Sequence, residues 1–118
     1  MPLPNNSNVS GSLIQGVAVA RVHLSKITDA QVTGLRSDLE QAASQSSGKL
    51  IVDLSEVELL TSAGLGMLVQ VRAACEGGKG RLVLCGVAPF IRDVLRITRL
   101  DKVIPTRDDV SAALKDFA

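Results

Sequence analysis

Two runs in this sequence, Leu50-Ile51-Val52 and Leu82-Val83-Leu84, are apolar at every position. A strand with one face in water alternates apolar and polar residues, whereas a strand covered on both faces does not. Each run is short and preceded by turn formers, Ser46-Ser47-Gly48 and Gly77-Gly78. The pattern predicts two central strands, Lys49 to Leu54 and Arg81 to Cys85, buried under helices on both sides.

The flanking segments supply those helices. From Asp29 to about Ser46, Val32, Leu35, Leu39 and Ala42 or Ala43 recur at steps of three and four, with Asp29 as expected N-cap. Ser62 to about Glu76 is a second helix, closed by Gly77-Gly78. Pro89 suits the first turn of a third, running to about Leu100, and Val103-Ile104 is a short strand followed by Pro105. Asp108 to Phe117 forms a last amphipathic helix on Val110, Ala113, Leu114 and Phe117. Leu13 to Leu24 holds one or two strands, with Gly16 at a turn or bulge, and residues 1–12, rich in Pro, Asn, Ser and Gly, are expected to be a flexible tail. A chain of 118 residues admits one core. The expected fold is therefore a single α/β domain over residues 13–118, a four- to five-stranded mixed sheet with about four helices packed on it.

Several function classes drop out. Aromatic residues are 2% of the chain, which leaves no stacking platforms for bases, and a net charge of +1 lacks the basic footprint of a phosphate-backbone binder, so no nucleic acid is expected. Nothing approaches 18 uninterrupted apolar residues, so no membrane insertion is expected, and Met1 to Asn8 has neither the basic nor the apolar region of a secretory signal. A cytoplasmic protein is the expectation. Cys75 and Cys85 match no zinc or redox spacing and are read as small buried hydrophobes. There is no phosphate-binding glycine loop, no dinucleotide fingerprint at Gly64-Leu65-Gly66, and no metal-spaced cluster, so no metal or cofactor is expected. His23, the single histidine, lies in a strand with no nucleophile motif beside it and is read as a structural or surface residue. Arg92, Arg96 and Arg99 form a basic stripe on the third helix, read as a solvated face.

What remains is the stretch from Asp53 to Leu68, which leaves the end of a buried strand, crosses a loop and enters a helix. Sites in open α/β sheets gather at the carboxyl ends of strands. Thr61 and Ser62 stand at a helix N-terminus, where free N–H groups and the macrodipole favour an anion, and either hydroxyl could serve simply as the N-cap. Phosphate on Ser62 is tolerated there, and it adds negative charge beside Asp53, Glu56 and Glu58. Ala63 and Gly64 allow another backbone to come close.

Asp53-Leu54-Ser55 followed by Thr61-Ser62-Ala63-Gly64-Leu65-Gly66 resembles the signature of the STAS domain, the module of sulfate transporters and bacterial anti-sigma factor antagonists. The resemblance continues through Leu82 to Pro89 and Val94 to Asp101 and covers about Leu13 to Phe117. It implies an antagonist that binds an anti-sigma factor which is also a serine kinase, is switched off by phosphorylation at Ser62, with Thr61 as second candidate, and is restored by a PP2C-type phosphatase. The implied partner surface comprises Asp53, Ser55, Glu56, Glu58, Thr61, Ser62, Ala63 and Gly64, and the protein acts as a kinase substrate and binding module, not as an enzyme. Thr61 stands where the family's pattern carries an acidic residue. That departure supports the alternative, an unphosphorylated STAS interaction module of a stressosome or lipid-transport complex.

Overall fold

The computed structural model describes residues 3–118. Strands β1 (Val9–Ile14), β2 (Val17–Val22), β4 (Lys49–Asp53), β6 (Arg81–Cys85) and β7 (Thr106–Arg107) form one sheet in the order β1-β2-β4-β6-β7. The β1–β2 pair is antiparallel and the rest are parallel. A separate pair, β3 (Lys26–Ile27) with β5 (Leu59–Leu60), is parallel. The helices are α1 (Asp29–Gln45), α2 (Ser62–Gly77), α3 (Pro89–Ile97) and α4 (Val110–Leu114). This is the expected class: one α/β domain with a five-stranded mixed sheet and four helices.

The period of two in the central strands divides the core. Leu50, Val52, Leu82 and Leu84 face Leu35, Leu39, Leu68, Val71, Ile91 and Leu95 of α1, α2 and α3. Ile51, Val83 and Cys85 face the other way, against Ala113 and the half-buried Val110, Leu114 and Phe117. Three helices thus cover one face, while the five-residue α4 covers only part of the other.

Both cysteines are free and buried. Burial, with Glu76 and Glu40 adding to it, pushes the Cys75 thiol up to about 12 from 9.0. Burial, then Asp53 and Asp109, does the same to Cys85 against the opposing pull of Arg21. Well below pH 9, at pH 7, both thiols are neutral in the folded and the unfolded chain. Above it the unfolded thiols ionise first, so each costs about 1.4 kcal/mol of stability per pH unit until its folded value is reached. Urea unfolding at pH 10 should show about 3 kcal/mol less stability than at pH 7, and Cys85→Ala should recover about half of that difference. An unchanged midpoint would mean that the thiols ionise in the folded protein.

The ends of the chain depart from expectation. The sheet begins at Val9 and not at Leu13: Val9 is fully buried, Asn5 bridges Ser10, and Leu3 packs on the core, so residues 3–12 do not form a free tail. Gln15 and Gly16, both at positive φ (55° and 79°), make the two-residue turn into β2 that suits the twist of a hairpin. The cap of α1 is Thr28, one residue before Asp29, in a reciprocal box with Gln31. Helix α3 stops at Ile97 because Arg99 turns left-handed (φ 63°), which also removes Arg99 from the basic stripe. Val103-Ile104 is not a strand. Pro105 has no N–H to donate and only accepts from Leu84 N (2.9 Å), so pairing with β6 begins at Thr106. The last helix is shorter than expected, Val110–Leu114 capped by Asp109, with one turn of 3₁₀ helix over Lys115–Phe117.

Candidate functional site

At the carboxyl end of β4 the buried Asp53 holds the start of the loop. Its Oδ1 accepts from Ser55 N (2.9 Å) and its Oδ2 from Arg21 Nε (3.0 Å). Gly86, at φ 67°, lies so close that a Cβ there would stand 3.1 Å from Asp53 Oδ1 and 3.0 Å from the Ser55 Cβ. Leu54 and Val57 are buried and pin the loop from beneath, which leaves Ser55, Glu56 and Glu58 outside. The backbone of Glu58 and Leu59 then donates to Ser25 O (2.7 and 3.1 Å) as the chain enters β5.

Thr61 closes the loop. Its N–H donates to Ile27 O (3.1 Å), and its hydroxyl donates to the same carbonyl (3.3 Å) while accepting from Gly64 N (3.4 Å) as the N-cap of α2. Ser62 is the first helical residue and is exposed, and among the described residues its hydroxyl has no hydrogen-bond partner. The two candidate hydroxyls are therefore distinct: Thr61 is engaged by the fold, and Ser62 is presented to solvent at the positive end of a 16-residue helix.

A family model described as "Mlab, STAS domain" matches residues 14–106 of this chain. The chain belongs to the STAS domain family. BtrV of Bordetella bronchiseptica, named as an anti-sigma factor antagonist, is 25% identical over 91 residues, which is 77% of this chain and 78% of BtrV. The structure of an anti-sigma-factor antagonist (STAS) domain protein from Planctomyces limnophilus superposes with a TM-score of 0.84 at 22% identity, covering 96% of this chain and 99% of that one. SpoIIAA, a Bacillus cell fate determinant solved in its phosphorylated form, superposes with a TM-score of 0.67 at 18% identity, covering 93% and 99%.

Within this STAS domain the expected surface residues separate by role. Ser55, Glu56, Glu58 and Ser62 are each exposed, and Thr61 and Ala63 are half-buried. Asp53, only 5% exposed, and Gly64, which is buried, hold the site from inside and are not presented for contact. A Cβ on Gly64 would come within 2.5 Å of Leu60 Cδ1 and 3.2 Å of Ile27 Cγ2, so the close approach it permits is that of α2 onto the β3–β5 pair. His23 holds two contacts that its place in the sequence does not reveal. Its Nδ1 lies 2.8 Å from Glu56 Oε2 and its Nε2 2.7 Å from Ser10 Oγ. No helix among the described residues is long and apolar enough to cross a membrane.

Proposed function

We propose that this STAS domain is an anti-sigma factor antagonist switched by phosphorylation at Ser62. The observation that carries this reading is the free, exposed hydroxyl of Ser62 at the head of α2, beside a Thr61 hydroxyl already spent on the cap. The names of BtrV and the Planctomyces limnophilus protein support the antagonist role, and SpoIIAA in its phosphorylated form supports a phosphate on this fold. The partner is an anti-sigma factor with serine kinase activity, and a PP2C-type phosphatase resets the switch. Ser55, Glu56, Glu58, Ser62 and the neighbouring face of Ala63 form the contact surface, and the reaction that modifies Ser62 uses the partner's nucleotide. A cytoplasmic location accords with this role.

Incubation with the cognate kinase and ATP, followed by mass spectrometry of the peptide containing Thr61 and Ser62, tests the reading, with phosphate expected on Ser62. Glu58→Lys should weaken partner binding while moving urea unfolding by less than about 0.5 kcal/mol, since the side chain is exposed. Unchanged affinity would remove the loop from the contact surface. The second reading rests on Thr61, which occupies the place of the family's acidic residue. Under it Ser62 is never modified, and the protein copurifies with a stressosome or a lipid-transport complex in place of a kinase and sigma factor.

A further inference from the structure

On the sheet face that α4 leaves partly open, β1, β2 and the loop after β4 bring together Ser10, His23 and Glu56. An ionised carboxylate only accepts, so the bond at Glu56 Oε2 requires a proton on His23 Nδ1. In the neutral imidazole Nε2 then carries a lone pair, and the 2.7 Å contact with Ser10 Oγ is made by the serine donating its hydroxyl proton. A hydroxyl aimed at an imidazole whose other nitrogen is held by a carboxylate is the arrangement of a nucleophile, its general base and the group that orients the base.

The surroundings fit a reaction at Ser10. A cleft of about 300 Å³ opens beside it, lined by Ser12, Ile14, Val19, Arg21 and Val110 as well as by Ser10 and His23. Its aliphatic residues suit a short acyl chain. Arg21 is the cross-strand partner of Ser10 in the antiparallel pair, so their Cβ atoms lie about 5 Å apart. Only its Nε is held by Asp53, and the side chain is 53% exposed, which leaves the terminal nitrogens among the described residues free to meet an oxyanion.

We propose that Ser10, His23 and Glu56 form a second site, which shares Glu56 with the partner-contact surface but does not use Ser62, at which Ser10 is acylated by short-chain esters. In the acylation step the hydroxyl proton passes to His23 Nε2 as the Ser10 Oγ–C bond forms. The ester C–O bond breaks, and the proton goes from His23 to the departing alkoxide or phenolate. Water, deprotonated by His23, then attacks the acyl-serine; the Ser10 Oγ–C bond breaks, the proton on His23 returns to Ser10 Oγ, and the carboxylic acid leaves. Neither step needs a metal, a cofactor or an oxidant.

The test uses the full chain with p-nitrophenyl acetate. The expected result is a burst of about one p-nitrophenolate per chain, followed by slower turnover, with one acetyl group located on Ser10 by mass spectrometry. His23→Gln should lower the burst rate about 100-fold, and Glu56→Gln by a smaller factor, with circular dichroism confirming that both variants fold. Ser10→Ala should abolish the burst. Localisation of the acetyl group in the unmodified protein decides the matter even if that variant does not fold. Acetyl found only on lysines, on the amino terminus or on His23 itself would overturn the proposal, as would an equal rate in His23→Gln.

Discussion

Gly48→Ala is expected to cost about 3 kcal/mol or more in urea unfolding, while Gly66→Ala, the same change on α2, should stabilise the protein by about 1 kcal/mol. Gly48 is at φ 81°, where an L-residue is strained by about 1–2 kcal/mol, and a Cβ there would run into Cys75 O at the end of α2. The chain cannot relieve the clash by shifting. On one side Gly48 N is tied to Ala43 O (2.8 Å), and on the other Gly80 N is tied to Cys75 O (2.9 Å). A Cβ on Gly80 would meet the Gly48 carbonyl in turn, so the turn before β4 and the turn before β6 cross backbone against backbone. Forcing a methyl group into such packing adds about 1–3 kcal/mol, a large share of the roughly 5–15 kcal/mol that a domain possesses. Around Gly66 there is no atom within 4 Å of the added Cβ, and alanine gains the helix propensity that glycine lacks. A Gly48→Ala midpoint within 1 kcal/mol of the parent would show that the two turns do not touch as described.

The same two glycine turns explain why the middle of the chain was legible. They bracket runs whose burial on both faces leaves only one interpretation, and β4 and β6 begin where the sequence placed them. Helices α1 and α2 were legible for the same reason, since their apolar residues repeat at helical spacing against those strands. The margins were not. Ser10-Gly11-Ser12 carries no strand signal of its own and is extended because β2 offers it a register from Val9 to Ile14. β3 and β5 are two residues each and form only because the loop after β4 folds back onto Ser25 and Ile27. Ile104 is apolar and fully buried, yet it plugs the core from a loop, a position that hydrophobicity alone cannot distinguish from a strand.

Legibility of the candidate site residues follows the distance in sequence over which each must act. Thr61, Ser62 and Gly64 lie within one helical turn, and their chemistry is visible as a string. His23 meets partners 13 residues before it and 33 after it, so that cluster exists only once β1 is paired and the loop is folded. Asp53 illustrates the opposite error. Its place in the acidic stretch resembles that of Glu56 and Glu58, but the last residue of a central parallel strand points into the protein, and Arg21 and the Ser55 N–H consume its carboxylate there.

Ser62→Asp is expected to fold like the parent protein and to bind its partner about thirtyfold more weakly, and enzymatic phosphorylation should weaken binding at least as much. The helix itself tolerates the charge, because the first turn of α2 contains no acidic residue and its N–H groups and dipole favour an anion. The melting transition should therefore stay where it is. Binding is a different matter. Phosphate adds about −1.5 to −2 charges at pH 7 to a surface that already exposes Glu56 and Glu58. Closing a partner over that charge strips away the water that screens it from Glu56 and Glu58, at a cost of about 2 kcal/mol, which is the thirtyfold factor. The loss should shrink as salt rises, since the site is exposed and its field is screened over about 8–10 Å. Thr61→Ala separates the neighbouring hydroxyl from the switch: it should lose about 1 kcal/mol of stability with the N-cap yet still accept phosphate at Ser62. Ser62→Ala should bind normally and resist inactivation by kinase and ATP. If Ser62→Asp binds as tightly as the parent, or if Thr61→Ala alone abolishes phosphate incorporation, the exposed hydroxyl of Ser62 is not the switch.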